Sequence, residues 1–183
     1  EQDDLPTVDL NNYSGFIVGG GPWNISDSSD KKSEVQKSAE KWLYSLLRQI
    51  VDQDLPYMGA CYGFGALVDL EGGVESKENY AESVKAITIN LQPAAQEDPL
   101  LKGLPDEFRA FTGHKEACQK LPENAVWLAS SKDCLYHMFR IKKNVYAMQF
   151  HPEKSGKAGL LFLRRFMESS EIKTIDGGLS HYA

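Results

Sequence analysis

The residues most able to do chemistry lie in the sequence GACYG, residues 59–63. A cysteine between two glycines, at the junction of a predicted strand and helix, matches the pattern of a nucleophile elbow. Such a turn is tight, so the neighbours of the nucleophile must be small. The helix start would favour a thiolate at Cys61, and the N–H of Tyr62 would point towards an oxyanion. A buried structural cysteine in a glycine-rich turn is the alternative interpretation.

The sequence QFHPE, residues 149–153, supplies a candidate base. It follows an apolar stretch, and residues two apart in an extended chain point to the same side. Pro152 favours an extended backbone at His151, so the imidazole and the Glu153 carboxylate can lie together. A carboxylate fixes the imidazole tautomer and stabilises the imidazolium, which predicts a catalytic set of Cys61, His151 and Glu153. A surface His-Pro turn beside a solvated glutamate is the alternative.

A third feature is the sequence GGGPW, residues 19–23, which follows the first predicted strand. Glycines allow a ligand to approach the backbone, and the N–H of Gly21 is a candidate second oxyanion donor. Gly20 and Trp23 are candidate walls of the substrate site, although an ordinary glycine turn and a core tryptophan would explain them equally well. All three features are predicted at the carboxyl ends of strands, where open α/β sheets place their sites.

The elements that would position these residues follow from hydrophobic periodicity. Buried strands are predicted over residues 14–20 and 56–60, and helices over residues 33–52 and 62–70, with Gly72-Gly73 ending the second helix. This strand–helix–strand–helix order favours a parallel sheet with helices on its faces. Closely spaced strands then indicate some antiparallel pairing, before a final helix over residues 156–168. Those strand candidates are residues 83–90, 108–112, 125–130, 133–141 and 145–150.

Composition limits the possible classes of function. The 183 residues fit one domain, and a net charge of −6 without a dense basic cluster argues against a nucleic-acid partner. No apolar run is long enough to span a membrane. The three cysteines, Cys61, Cys118 and Cys134, form neither a disulfide framework nor CxxC pairs, so we expect a reducing, cytoplasmic compartment and no metal. Cys118 and Cys134 are interpreted as ordinary thiols, and His137 as a packed residue on a face shared with Leu135, Phe139 and Ile141.

In this order, GGGPW, GACYGFG and QFHPE resemble the triad-type, class I glutamine amidotransferases, and most closely their GMP-synthase-like branch. The resemblance extends from about Asp9 to Phe166 and implies a flavodoxin-like α/β sheet, mostly parallel, with helices on both faces and an antiparallel strand addition. It implies that Cys61 attacks the side-chain amide of glutamine, His151 transfers the proton and Glu153 orients His151. The backbone N–H groups of Gly21 and Tyr62 would bind the oxyanion. Ammonia would leave as a cysteinyl thioester forms, without any cofactor. It could then pass to a synthase partner protein.

The sequence departs from the family at three places. The family has a substrate-holding Gln four residues after the nucleophile, where this chain has Gly65. The family's His-Gly-Asp-like stretch reads His114-Lys115-Glu116, which puts a cation at a position where a small residue is expected. The strand and helix that open the family's domain have no counterpart here, so we expect residues 1–183 to form one domain lacking that N-terminal part, with residues 170–183 as a tail.

These departures keep three functions open. Glutamine hydrolysis follows from the complete catalytic set. A γ-glutamyl hydrolase or peptidase with the same catalytic residues would explain Gly65 and Lys115, which together with His114 are candidate substrate-binding positions. A non-catalytic relative that binds a metabolite or a synthase is the third.

Overall fold

The computed structural model describes residues 5–169, which form three α-helices and nine β-strands. The helices are α1 (Glu34–Asp52), α2 (Tyr62–Leu70) and α3 (Gly156–Ser169). The strands are β1 (Phe16–Val18), β2 (Tyr57–Ala60), β3 (Val74–Ser76), β4 (Glu82–Leu91), β5 (Glu107–His114), β6 (Ala117–Lys120), β7 (Ala125–Ser131), β8 (Met138–Ile141) and β9 (Val145–Met148).

Seven strands form one mixed sheet in the order β1-β2-β9-β8-β7-β4-β5, while β3 and β6 pair separately. β1, β2 and β9 are parallel neighbours and are called the parallel half. β8, β7, β4 and β5 each pair antiparallel and are called the antiparallel half. Five strands, β1, β2, β9, β7 and β5, therefore point in one direction. The predicted α/β sheet with an antiparallel addition is confirmed.

Each face of this sheet has its own apolar core. α1 and α2 cover one face, where residues such as Leu47 and Phe64 pack against strand residues such as Val145. α3 covers the other face through Phe162 and Phe166. Because helices cover both faces of the sheet with apolar side chains, water does not reach these faces. Side chains that contact a ligand therefore lie at the edges of the sheet. The predicted placement of helices on both faces is confirmed.

α1 follows directly from its sequence. Ser33 caps its first turn, because the Ser33 side chain accepts a hydrogen bond from the backbone N–H of Gln36. Its buried apolar residues recur at helical spacing and form one stripe towards the sheet. Those residues are Leu43, Leu47, Ile50 and Val51.

Most predicted elements agree with the structure, including all three helices and the end of α2 before Gly72, which has a φ of 79°. The strand predicted over residues 133–141 forms only from Met138. The Ser131 hydroxyl accepts hydrogen bonds from the N–H groups of Asp133 and Cys134, which holds that segment in a turn instead. β3 and β6 were not predicted. The predicted tail over residues 170–183 lies outside the described residues.

No helix within residues 5–169 has the length and apolar character needed to cross a membrane.

Candidate active site

Cys61 occupies the sharp turn between β2 and α2. Its backbone has a φ of 53° and a ψ of −97°, a conformation that side-chain-bearing residues rarely adopt, and its N–H donates to the carbonyl of Met148 in the parallel half. A Cβ on Gly63 would lie 2.4 Å from the carbonyl oxygen of Val18. Glycine is therefore required at position 63, two residues after Cys61, because β1 approaches it closely, as expected of an elbow.

The side chains of Cys61 and His151 both lie close to Gly20. A Cβ on Gly20 would lie 2.9 Å from His151 Cε1, 3.8 Å from His151 Nε2 and 3.7 Å from Cys61 Cβ. On its other side, the His151 ring contacts Glu153, with 2.8 Å between Nδ1 and Oε1. Cys61, His151 and Glu153, the three residues predicted to be catalytic, thus line one cavity at the edge of the parallel half.

The antiparallel half fixes the backbone of His151. The His151 N–H donates to the carbonyl of Phe111 in β5, and the hydroxyl of Ser155 donates to the His151 carbonyl. The same Ser155 hydroxyl accepts a hydrogen bond from the Phe111 N–H. The His151 side chain is 12% exposed and that of Glu153 is 47% exposed. The His151 backbone is therefore held by β5 and by Ser155, whereas Glu153 remains accessible to water.

Two cavities meet at Cys61. One, of about 320 Å³, is called the inner cavity and extends towards β4 and β5. The other, of about 470 Å³, is called the outer cavity and faces His151 and Glu153. Cys61 and Gly21 line both. Of the other predicted site residues, the inner cavity is lined by Trp23, Tyr62, His114 and Lys115, and the outer cavity by Gly20, His151 and Glu153.

Gly21 and Tyr62, the two residues predicted to bind an oxyanion, lie close to each other. The backbone N–H of Tyr62 donates a hydrogen bond to the Cys61 sulfur, so it already faces the reacting atom. A Cβ on Gly21 would lie 3.3 Å from the Tyr62 ring, which shows how closely the glycine loop approaches the elbow. The hydroxyl of Tyr62 donates to the buried carboxylate of Glu40 in α1, which also pairs with Lys32. Tyr62 is thereby anchored at both its backbone and its side chain.

The thiol of Cys61 is protonated at neutral pH in the unliganded protein. Burial raises the pKa of Cys61 to about 11, and the carboxylates of Glu116 and Glu75 act in the same direction. The Tyr62 N–H and Lys154 oppose this shift without reversing it. The predicted preference for a thiolate is therefore not found, because burial outweighs the donors at the helix start. A base must take the proton when the sulfur reacts.

Gly65 lines neither cavity. A Cβ at Gly65 would lie 3.4 Å from Ile25 and 3.5 Å from the carboxyl group of Glu75, so the side chains of these two residues surround the position. The predicted contact between Gly65 and a substrate is not made by this structure, because Gly65 is buried under its neighbours.

The segment His114-Lys115-Glu116 divides into three different environments. His114 is buried, with its Nδ1 facing the carbonyl of Glu116 and its Nε2 facing Glu82. Lys115 is exposed at the wall of the inner cavity. The Glu116 carboxylate accepts hydrogen bonds from the N–H groups of Ile25 and Ser26 and from the Ser26 hydroxyl. Glu116 therefore fixes the loop after Trp23, whereas Lys115 can reach a ligand.

Comparison with known proteins identifies the family. The model of the glutamine amidotransferase class-I family matches residues 1–169. The chain belongs to the class I glutamine amidotransferase family. It is 33% identical over 147 residues to one subunit of the glutamine-hydrolysing GMP synthase of Methanosphaera stadtmanae, covering 80% of this chain and 68% of that protein.

A longer relative of this amidotransferase is the GMP synthase of Thermosipho africanus, 34% identical over 143 residues. The match covers 78% of this chain and 24% of that protein, so the chain spans only about a quarter of the longer synthase. A solved structure of a candidate GMP synthase subunit from Thermoplasma acidophilum superposes with a TM-score of 0.72 at 24% identity. That match covers 88% of this chain and 75% of the other, and it supports the fold.

The amidotransferase site includes residues that sequence reasoning missed. Gln149 is 1% exposed, lines the inner cavity and has an Oε1 atom without a hydrogen-bond partner among residues 5–169. Its position two residues before His151 was the available signal, since such residues share a side. Glu82, Ser83 and Val84 also line the inner cavity. No local pattern marks them, because β4 reaches the site only through sheet pairing.

One interpretation of the sequence is wrong. His137 is fully buried, as predicted, but it does not share a packed face with Leu135, which is 38% exposed. Its Nε2 lies 2.8 Å from the carboxylate of Glu82 instead. The turn held by Ser131 ends before His137, so the alternation assumed for a strand over residues 133–141 does not apply.

Proposed function

We propose that this protein hydrolyses the side-chain amide of glutamine through a cysteinyl thioester at Cys61. The observation that carries the proposal is that the Cys61 and His151 side chains both lie close to Gly20 and line the outer cavity, with His151 bound to Glu153. Cys61 also lines the inner cavity, which has room for a small amide. A nucleophile, an oriented base and backbone donors are the groups that acyl transfer requires.

The first half of the reaction forms the thioester. His151 takes the proton of the Cys61 thiol as the sulfur attacks the amide carbon of glutamine. The N–H groups of Tyr62 and Gly21 bind the oxyanion of the tetrahedral intermediate, and each such donor typically lowers the barrier by about 3–4 kcal/mol. His151 then gives the proton to the amide nitrogen, which leaves as ammonia.

The second half releases glutamate. A water molecule attacks the thioester carbon while His151 takes one of its protons. The carbon–sulfur bond breaks, the proton returns to Cys61, and glutamate leaves. Glu153 stabilises the imidazolium that His151 forms in both halves. Burial raises the pKa of Cys61 to about 11, so the thiol needs a base such as His151 to take its proton.

The relatives support a further step in which ammonia passes to a synthase. The relative from Thermosipho africanus is a glutamine-hydrolysing GMP synthase, and the one from Methanosphaera stadtmanae is a single subunit of such a synthase. We therefore propose that a separate synthase protein or domain accepts the ammonia formed at Cys61. Neither half of the proposed hydrolysis requires a cofactor.

The test is glutamine hydrolysis by the purified chain, followed as glutamate release, alone and with a candidate synthase. Wild-type protein should hydrolyse glutamine, and a chloroketone analogue of glutamine should alkylate Cys61 while sparing the buried Cys118. Cys61→Ser should lower kcat by at least about 10³-fold, the scale seen when a nucleophile is removed. Cys118→Ser is the matched control. Full activity in Cys61→Ser, or equal labelling of both thiols, would exclude this mechanism.

One observation favours a second candidate, hydrolysis of a γ-glutamyl amide or peptide. Lys115 is an exposed cation on the inner cavity wall, where it could pair with a carboxylate that free glutamine lacks. Comparing kcat/KM for glutamine and for a γ-glutamyl dipeptide, in wild type and Lys115→Ala, separates the two. A preference for the dipeptide that disappears in Lys115→Ala supports the second candidate, and a preference for glutamine in both proteins rejects it.

A further inference from the structure

A buried imidazole next to the inner cavity has an unused nitrogen. His137 is fully buried, and its Nε2 donates to Glu82, yet residues 5–169 offer no hydrogen-bond partner for its Nδ1. A buried polar atom without a partner is rare and usually indicates a water or an ion at that place. Burial also lowers the pKa of His137 against the opposing effect of Glu82. The ring is therefore neutral, and Nδ1 carries a free lone pair.

Two further donors converge on this imidazole. His114, Cys134 and His137 each offer a donor atom, and these atoms lie within 4.8 Å of one another. All three residues are buried. In a tetrahedral zinc site the ligand atoms are about 3.3–3.6 Å apart, as follows from the usual bond lengths, so modest side-chain movement would close the set. One thiolate and two imidazoles form a donor set that suits zinc.

Glu82 supplies the surroundings that such a site needs. Its carboxylate contacts Nε2 of His137 at 2.8 Å and Nε2 of His114 at 3.0 Å, and it accepts a hydrogen bond from the Ser131 hydroxyl. Metal-bound histidines commonly donate their other ring N–H to a carboxylate, which fixes the tautomer and the ring orientation. His137 has this arrangement, with Nε2–H towards Glu82 and Nδ1 free.

We propose that His137 Nδ1, Cys134 Sγ and one ring nitrogen of His114 bind a zinc ion, with Glu82 orienting the imidazoles. The sequence had argued against a metal because the cysteines do not form CxxC pairs. The donors come instead from Cys134-x-x-His137 on one segment and from His114 at the end of β5. The site is separate from Cys61, although His114 also lines the inner cavity.

Zinc binding must release a proton. Burial raises the pKa of Cys134 to about 12, with Glu82 acting in the same direction, so the thiol is protonated before the metal arrives. Coordination therefore releases one proton from the Cys134 thiol. Zinc affinity should accordingly increase as pH rises from about 6 to 8.

The experiment uses cobalt as a spectroscopic substitute for zinc, in the full chain carrying Cys61→Ser so that the nucleophile cannot bind the metal. After treatment with a chelator, Co²⁺ should bind with one equivalent and give a strong thiolate-to-metal band in the near ultraviolet, which Zn²⁺ then removes. Adding Cys134→Ser should abolish the band, whereas adding Cys118→Ser should retain it. Cys118 is a buried thiol outside the cluster and is the matched control.

Two further variants test the ligand His137 and the orienting residue Glu82. His137→Gln should weaken Co²⁺ binding by more than about 10-fold, and Glu82→Gln should weaken it by about 10–100-fold, as for other outer-shell partners. If either variant fails to fold, the melting temperature decides: Zn²⁺ should raise it in the Cys61→Ser protein and not after addition of Cys134→Ser. A folded Cys61→Ser protein without the band, or a band that survives Cys134→Ser, would overturn the proposal. None of these readouts depends on glutamine hydrolysis.

Discussion

The parallel and antiparallel halves of the sheet contribute to the site in different ways. In the parallel half, each chemical group comes from a short continuous segment: Cys61 from the β2–α2 turn, and His151 with Glu153 from the turn after β9. In the antiparallel half, Glu82 meets partners 32 and 55 residues away along the chain, His114 and His137. The geometry of the proposed catalytic residues is thus encoded locally, whereas the far wall of the inner cavity is encoded through strand pairing.

The largest loss of stability and activity is expected where an added side chain would meet the backbone of the parallel half. Gly63→Ala would place a Cβ 2.4 Å from the Val18 carbonyl oxygen, a backbone atom that cannot move without displacing β1. We expect loss of the folded protein or of all glutaminase activity. The matched change in the antiparallel half, Gly113→Ala, meets Val84 Cγ2 at 2.7 Å and Val84 Cα at 3.2 Å. Because the Val84 side chain is 85% exposed, its rotation relieves the closer contact, and the remaining backbone contact is milder than the one at Gly63.

Thermal melting and activity of these two glycine variants measure the contrast. Gly113→Ala should remain folded and lose only a small part of its stability. If it is damaged as much as Gly63→Ala, the antiparallel half is as rigid as the elbow, and the distinction between the halves fails.

The next largest loss, in the free energy of unfolding, is expected when the buried carboxylate of Glu82 in the antiparallel half is replaced. The Glu82 side chain is 1% exposed, and burial raises its pKa, but hydrogen bonds from His114 and His137 outweigh burial and hold the pKa well below its usual range. Glu82→Gln removes the buried carboxylate that contacts Nε2 of both His114 and His137, so we expect a loss of about 3–5 kcal/mol in the free energy of unfolding. Urea denaturation measures it. Ser131→Ala, which removes one hydrogen bond to Glu82, should lose only about 1 kcal/mol.

A pH-dependent effect is expected at Glu75 in β3, which lies against Gly65. Burial, followed by the Glu116 and Asp69 carboxylates, raises the pKa of Glu75 to about 9 from 4.5. The folded chain keeps a proton that the unfolded chain has lost, so this contribution to stability is lost as pH rises from about 4.5 to 9. Glu75→Gln should flatten that decline in the free energy of unfolding.

Urea denaturation across the range from about pH 5 to pH 9 measures the change at Glu75. The exposed Glu107 provides a control, since Glu107→Gln should leave the slope against pH as in the wild type. An unchanged slope in Glu75→Gln would mean that Glu75 is ionised in the folded protein and has a counter-charge or water at its carboxylate.

The smallest effect is expected at the one exposed member of the catalytic set. Glu153 contacts His151 Nδ1 at 2.8 Å, but its side chain is 47% exposed. In Glu153→Gln, water can partly replace the carboxylate at the imidazole, so we expect a fall in kcat of only about 10-fold, far below the loss seen when a buried triad carboxylate is replaced. Steady-state glutamine hydrolysis checks it. A loss approaching that of Cys61→Ser would show that Glu153 becomes enclosed during turnover.

The same contrast explains what could be predicted from the sequence. The elbow and the helix α1 were visible because periodicity and small residues act over short continuous segments. The strand predicted over residues 133–141 was too long because one hydroxyl, that of Ser131, holds a turn that hydrophobicity does not reveal. β3 and β6 are three and four residues long and carry too few positions for an alternating pattern.

The environment of Gly65 illustrates the limit for the site. The sequence showed that a side chain was missing after the nucleophile, but only the fold reveals that Glu75 and Ile25 fill the space. Likewise, nothing near His114 in the sequence indicates its contact with Glu82, because β4 reaches that position only through its pairing with β5. Contacts of this kind depend on register, which a single sequence does not fix.

At Cys61, the residue that would suit the backbone best is not the residue that supplies the sulfur. Its φ of 53° and ψ of −97° suit glycine better than any residue with a side chain. Cys61→Gly would relax the backbone and delete the sulfur in the same step. Selection of variants for thermal stability alone would therefore favour glycine at this turn. Selection for enzymatic turnover would retain the cysteine.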